Sequence, residues 1–341
     1  MKTTRTLASA AVLNLLAGGT ALAGAGGPGP TDTQKTTAVT SSTQGQLAIT
    51  SYTVLPVIAS VIQQTLQARS LPAKSGADNA APVMLRGMAA SADSGIPFQT
   101  WVNAGGGNSH SSLANAGYDI DNYGGQAGLQ AEIITDLVVG ISGSWQNNNG
   151  TLSGGFTSQN TTLGLSPYAG WQFNEHWNVY GSVSFSQGQT KLGNAGSAYS
   201  GKYQGTEWDL QGGVAGSYDV AMLRLAPVVS LLYMHTSTHS FVDSTGARVG
   251  GNTTALTRGS AGGSVSLPLG KFEPYIRAGF EHDFSVPTGA GPYGDNGGTA
   301  GGGFTLTFND AIWASVDAGY NSIGRTDLSL WSASARLNIR F

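Results

Sequence analysis

The chain has 341 residues, 51 glycines and no cysteine, and only 10% of its residues are charged, with a formal net charge of −3. A charge so close to neutral gives no reason to expect a nucleic-acid partner, and the lack of cysteine excludes disulfides, thiol chemistry and a lipid-modified cysteine. Soluble domains carry about 25% charged residues. No run of about 18 apolar residues occurs beyond the N-terminus, so the sequence predicts no transmembrane helix there. A chain with so few charges can still contact lipid through strands whose residues alternate between apolar and polar.

The first 23 residues have the parts of a secretory signal peptide. Lys2 and Arg5 form the positive region, and "LASAAVLNLLAGGTA" is the apolar region. Ala21 and Ala23 satisfy the small-x-small rule, so we expect cleavage before Gly24. A strand protein that passes the secretory translocon is expected in the outer membrane of a Gram-negative bacterium, because helical spans would have stayed in the inner membrane.

The next two segments differ in how their apolar residues are spaced. Residues 24–53 are rich in Gly, Pro, Thr, Ser and Gln, which predicts a short disordered segment. Residues 54–69 predict a helix. Its apolar stripe has no soluble core to enter, since residues 70–97 are again small and polar. The stripe consists of Val57, Ile58, Val61, Ile62 and Leu66.

From about residue 98 the pattern becomes strict alternation, which predicts strands. The runs lie at about 98–108, 122–134, 137–147, 158–173, 176–188, 203–218, 221–237, 253–267, 271–285, 299–308, 311–322 and 329–341. Short and long connections alternate, as a transmembrane barrel with an even strand number requires. Aromatic residues near the run ends suit two interfacial girdles, formed by Trp101, Trp145, Trp171, Trp177, Tyr218, Phe272, Phe308, Trp313 and Trp331.

Charged residues fall on one face of these runs, where a polar lumen would hold them. Candidate lumen charges are Glu273, Arg277, Glu281, Asp317, Arg336 and Arg340. Asp317 and Arg336 lie on neighbouring runs and are the expected ion pair. A soluble β-sandwich would also alternate, but it would need more Lys and Glu on its water-facing side, so the barrel is favoured.

Residues 98–152 resemble the start of the autotransporter β-domain, the translocator of type V secretion. The matching features are Trp101 in the first run, Gly117-Tyr118-Asp119 before the second, the Gly-rich 123–128, and Gly140 to Trp145 in the third. "SPYAGWQFNEHWNVYG", "EPYIRAGFEHDF" and the closing "SASARLNIRF" extend the resemblance over roughly residues 50–341.

The resemblance implies an all-β, twelve-stranded antiparallel outer-membrane barrel with an N-terminal helix that plugs the pore. It also implies that the barrel-assembly machinery reads the last strand. Trp331, Leu337, Ile339 and Phe341 would then face lipid and form the assembly signal. The expected organisation is a signal peptide (1–23), a short passenger-like segment (24–53), a linker with the helix (54–97) and the barrel (98–341).

The expected function is therefore translocation or display of the N-terminal segment at the cell surface. Outer-membrane lipid, the secretory translocon and the assembly machinery are the expected partners of a monomer that needs no cofactor, metal or nucleic acid. His235 and His239 lie about 13 Å apart along a strand, too far to share an ion. Two alternatives stay open: a passenger-less barrel acting as a small pore or surface-loop adhesin, and a lipase or protease active at the barrel rim.

Overall fold

The computed structural model describes residues 29–70, 98–113, 116–285 and 294–341, without the side chains of 67–70. The predicted cleavage residues Ala21, Ala23 and Gly24 lie outside this part of the chain, as do residues 71–97 of the predicted linker. Within it, a helical segment precedes a closed antiparallel sheet.

The barrel strands lie close to the predicted runs, and most are longer. They are β1 (Phe98–Ser111), β2 (Tyr118–Ile134), β3 (Leu137–Leu152), β4 (Phe156–Gln172), β5 (Trp177–Asn194), β6 (Ser200–Gly216), β7 (Leu223–Thr238), β8 (Thr253–Ser266), β9 (Phe272–Ser285), β10 (Asn296–Asn309), β11 (Ile312–Ile323) and β12 (Leu328–Arg340). Each pairs with its chain neighbours, and β12 closes the sheet on β1, with Gln99 opposite Arg340. The twelve-stranded barrel prediction is confirmed.

Side chains alternate between the inside and the outside of the barrel. Phe185 and Ile276 are 60% and 70% exposed on the outer surface, whereas Ser184 and Glu281, on the opposite face of the same strands, are buried. Because the outer face is apolar and the inner face polar, the barrel suits lipid outside and a polar lumen inside.

Short turns join the strands at one end of the barrel, called here the turn end. Two of these turns use the same device: the Asn174 side chain accepts the backbone N–H groups of His176 and Trp177 at 2.9 and 2.8 Å. Asn309 accepts two N–H groups in the same way. An Asn side chain that replaces a backbone acceptor stabilises a tight reversal. The opposite end, which has the two longest connections, between β7 and β8 and between β9 and β10, is called the loop end.

A bent helical segment, called here the rod, lies inside the barrel. It consists of α1 (Asp32–Thr53) and α2 (Leu55–Ser70). The prediction of disorder for 24–53 is therefore wrong over Asp32–Thr53. The rod bends near Val54, because Pro56 has no N–H to continue the helical ladder. By length and composition, Asp32–Leu66 could cross a membrane, but 72% of its most apolar window is buried inside the barrel.

Local capping explains why α1 forms despite its composition. The Thr31 hydroxyl accepts the Gln34 N–H at 3.3 Å, and the Gln34 side chain accepts the Thr31 N–H at 2.8 Å, which completes a capping box. Within the helix, hydroxyl groups bond back to carbonyls one turn earlier, as Thr43 does to Val39 at 2.9 Å. These bonds satisfy hydroxyl groups that would otherwise be buried without partners.

Candidate functional site: the helix-filled pore

The apolar stripe of α2 lies against the wall formed by β1 and β3–β6. Ile58, Ile62 and Leu66 are at most 1% exposed, and all five predicted stripe residues belong to one buried cluster. The wall supplies Trp101, Val138, Tyr168, Tyr180 and Ala215 to that cluster. Gly170 leaves the space that Ile62 fills, since a methyl group there would collide with the Ile62 side chain.

Trp101 points into the pore, where it begins a chain of hydrogen bonds to α2. Its indole N–H donates to the Tyr168 hydroxyl at 2.8 Å, Tyr168 donates to Gln130 at 3.0 Å, and Gln130 donates to Thr65 at 2.7 Å. The assignment of Trp101 and Trp313 to the lipid girdles is wrong, since both are buried, at 1% and 8% exposure. The inner wall therefore uses aromatic residues to hold the helix.

The helix α1 meets a part of the wall that offers both hydrogen bonds and apolar surface. Ser42 and Ser158 share a hydrogen bond of 2.7 Å between their hydroxyls, and Thr50 donates to Gln146 at 3.2 Å. Gly45 allows the helix to approach β2 closely, because a side chain at this position would collide with Ile120. Apolar packing accompanies these hydrogen bonds: Val39 of α1 lies in a buried cluster with wall residues such as Phe156, and Leu47 packs in a second cluster against β7 and β8.

A buried ion network fixes the bend of the rod to the wall. Arg258 makes a two-pronged contact with Asp283 at 2.6 and 3.0 Å, and Arg325 donates to Asp283 at 2.8 Å. Tyr52, at the end of α1, donates to Glu281 and lies 4.6 Å under the Arg258 guanidinium carbon. Each charge in this network has an opposite partner, which is the condition for burying charges without a large penalty.

A second ion pair closes the loop end. Lys35 of α1 lies 2.7 Å from Asp243, in the loop between β7 and β8, and both side chains are buried. The hydrogen bond to Asp243 raises the pKa of Lys35. Burial alone would raise the pKa of Asp243, but hydrogen bonds from Lys35, Thr245 and the Ala247 N–H outweigh it and lower that pKa to about 2. Both groups are therefore charged at neutral pH.

The predicted pairing of Asp317 with Arg336 is wrong. Asp317 instead pairs with Arg277 at 2.8 Å, because Ser315 rather than Asp317 lies opposite Arg336 in the strand register. Arg336 reaches α2 and donates to the Ser60 hydroxyl at 2.6 Å. The last strand thereby binds the helix directly.

The helix does not fill the pore. A cavity of about 770 Å³ lies beside α2, on the side of β7–β12 and β1. Gln63 and Gln64 face it, and its lining extends from Arg258 toward the turn end at Asp310 and Arg340. All six predicted lumen charges line this cavity, namely Glu273, Arg277, Glu281, Asp317, Arg336 and Arg340.

The residues of the predicted assembly signal lie on the last strand. Trp331, Leu337 and Phe341 are 51%, 37% and 42% exposed on the outer surface. Ile339 alternates with the inward Asn338 and has the same outward register. Their outward position suits lipid contact, and their role in assembly stays a prediction. In the described ranges, no group of three or more His, Asp or Glu side chains could hold a metal ion.

Comparison with known proteins identifies this architecture. The family model described as "Autotransporter beta-domain" matches residues 100–331. The chain belongs to the autotransporter β-domain family. Among curated protein sequences, none matches it.

Solved structures of autotransporter barrels have the same fold. The transport unit of AIDA-I from Escherichia coli is 17% identical, with a TM-score of 0.61 over 83% of this chain and 98% of that one. The translocator domain of NalP from Neisseria meningitidis is 16% identical, with a TM-score of 0.59 over 72% and 88%. The β-domain of the Bordetella autotransporter BrkA is 14% identical, with a TM-score of 0.58 over 71% and 98%.

Membership places this barrel in the outer membrane of a Gram-negative bacterium. In outer-membrane barrels the short turns face the periplasm and the long loops face the exterior. The turn end is then periplasmic, and the loop end, where α1 begins, faces the cell surface. The family also makes the barrel a translocator for surface display of a passenger.

Proposed function

We propose that this autotransporter barrel displays its own N-terminal segment and holds the rod of α1 and α2 in the pore afterwards as a plug. The observation that carries the proposal is the path of the rod. α1 begins beside the surface loop at Asp243, and α2 reaches the periplasmic half beside Gln99 and Gln130. Chain N-terminal to Asp32 therefore emerges at the cell surface. The displayed part is shorter than residues 24–53, because Asp32–Thr53 stands inside the pore.

We extend the proposal to the steps before display. The signal peptide directs the chain through the secretory translocon with cleavage at Gly24, and the barrel-assembly machinery recognises Trp331, Leu337, Ile339 and Phe341. The mature protein acts as a monomer in outer-membrane lipid. The outward apolar register of β12 supports the lipid contact and the recognition.

The proposed role is non-enzymatic and needs no cofactor. Two histidines that could serve a rim-active hydrolase have other partners: His176 contacts the Ser217 carbonyl oxygen at 3.1 Å, and His282 contacts the Asn296 side-chain oxygen at 2.9 Å. Neither contact activates a serine hydroxyl. Refolded barrel should hydrolyse ester and peptide substrates no faster than a buffer blank, and sustained turnover would refute this part of the proposal.

Two measurements test display and plugging. An epitope inserted between Gly29 and Pro30 should be labelled by antibody on intact cells. Deletion of residues 32–70 should convert rare, small conductance steps in a planar bilayer into large, steady ones. An epitope detected only after permeabilisation would refute display, and large conductance before deletion that stays unchanged after it would refute the plug.

A passenger-less small pore is the second candidate function. The 770 Å³ cavity beside α2 favours it, because it gives water a path past half of the helix. Surface labelling without any effect of the deletion on conductance would favour this candidate over the plug.

A further inference from the structure

The outer surface of β5 and β6 changes in regular steps along the strands. Directly opposed outward pairs run from the periplasmic side as Val179–Val214, Gly181–Gly212, Val183–Leu210, Phe185–Trp208, Gln187–Thr206, Gln189–Gln204 and Lys191–Lys202. The first pairs are apolar or small, the fourth is aromatic, the next two are polar and uncharged, and the last is a pair of lysines. The aromatic pair marks the membrane boundary, where outer-membrane barrels place their girdles.

The lysine pair is unusual because like charges directly opposite each other on neighbouring strands are destabilising. Lys191 and Lys202 are both exposed on the outer surface. Neither makes a hydrogen bond or ion pair with any residue in the described part of the chain, and the neighbour of Lys191 on β4 is Gln159, not a carboxylate. The chain therefore places two uncompensated positive charges side by side, where an external anion would relieve their repulsion.

The height of the pair above the membrane indicates which anion. Lys191 lies six residues beyond Phe185 on β5, which is about 20 Å along the strand and roughly 15 Å along the membrane normal at the usual strand tilt. Phospholipid headgroups extend only about 5–8 Å beyond the hydrocarbon. A thicker headgroup with phosphates among sugars would reach both the lysines and the amide side chains of Gln189 and Gln204 below them.

We infer that Lys191, Lys202, Gln189 and Gln204 form a binding site for the phosphorylated saccharide headgroup of an outer-leaflet glycolipid. The two ammonium groups would bind phosphate oxygens, since lysine binds phosphate as a point charge. The Gln side chains would exchange hydrogen bonds with sugar hydroxyls. This site lies on the outside of the barrel and is independent of the plug in the pore.

The test measures binding of the full-length protein, refolded in neutral detergent, to purified lipopolysaccharide that carries lipid A and inner-core phosphates. The double variant Lys191→Gln/Lys202→Gln should bind about tenfold more weakly or worse, the loss expected from two charge-assisted contacts. Chemical dephosphorylation of the lipopolysaccharide should weaken wild-type binding by a similar factor. The matched control is Lys271→Gln, which changes a lysine that contacts the Phe308 carbonyl at the turn end and should leave affinity unchanged.

Because both lysines are exposed, the double variant should fold, and its heat-modifiable migration on a detergent gel checks this. Lys191→Arg/Lys202→Arg keeps the charge and should retain binding. Equal affinity of wild type and double variant, or no effect of dephosphorylation, would overturn the inference. Competition by mixed vesicles of phosphatidylcholine and anionic phosphatidylglycerol that is as strong as competition by free lipopolysaccharide would also overturn it, since any anionic lipid would then suffice.

Discussion

Ile62→Ala is the sharpest test of how firmly the plug is held. Ile62 is fully buried in the cluster between α2 and the wall and fills the space left by Gly170. Truncating a buried Ile to Ala costs about 2–5 kcal/mol, and the cost is larger where the surroundings cannot collapse. The barrel wall is held by hydrogen bonds between strands and cannot collapse into the space left by the truncated side chain. We therefore take about 3 kcal/mol as the loss in the free energy that docks the helix. At about 1.4 kcal/mol per factor of ten, the ratio of unplugged to plugged protein should rise by about 100-fold.

Single-channel recording of full-length protein in a planar bilayer measures this ratio as open time over closed time. Each opening caused by release of the helix should have the large conductance of the barrel that lacks residues 32–70, because the variant does not alter the barrel wall. Gln63→Ala is the matched control, since Gln63 is the next residue on the same helix but faces the cavity. Equal effects of the two variants, or no effect of Ile62→Ala in a stable barrel, would refute the assignment of the α2 stripe as the closing contact.

Two further predictions concern the ends of the pore and of the chain. The pKa of Asp243 is lowered to about 2, so its stabilisation is fully present above its unfolded value of about 3.9 and is lost as pH falls toward 2. Thermal denaturation between these pH values should therefore show a steeper loss of stability for wild type than for Asp243→Asn, and parallel curves would contradict the ion pair with Lys35. Phe341→Ala should cost up to about 1.5–3 kcal/mol of stability in vitro but lower outer-membrane levels far more, whereas matched losses in both assays would indicate that Phe341 is only a lipid anchor.

The strands could be predicted from the sequence because each has one apolar and one polar face, a pattern with a period of two residues. The same rule missed α1, since this helix is buried around most of its circumference and mixes Ser and Thr with apolar residues such as Val39 and Leu47 instead of forming one apolar stripe. Its hydrogen bonds go to side chains such as Ser158 and Gln146. The capping box at Thr31 and Gln34 is a local signal that could have revealed this helix.

The contacts between side chains inside the lumen were harder to predict than the strands themselves. The alternation of side chains places Arg336 and Asp317 on the inner face, but it does not give the register between strands. In the observed register, Asp317 is not opposite Arg336. Arg336 then uses its guanidinium on Ser60 of the helix, a contact between residues far apart in the sequence. The position of Trp101 and Trp313 near strand ends suggests an outward aromatic girdle. Their place in the alternation of each strand instead predicts the inner face, where the structure has them.

The number of times the chain crosses the barrel determines on which side of the membrane the rod begins. An even number of strands returns the end of a barrel to the side where it began, so Phe98 and Phe341 lie at the same rim, where the Phe341 N–H donates to the Phe98 carbonyl at 2.8 Å. The rod of α1 and α2 adds one more crossing and makes the total odd. Thr31, at the start of the rod, therefore lies on the opposite side from Phe341. A substitution that loosens the plug changes how often the pore opens, but this assignment of sides is reversed only if the whole rod is withdrawn.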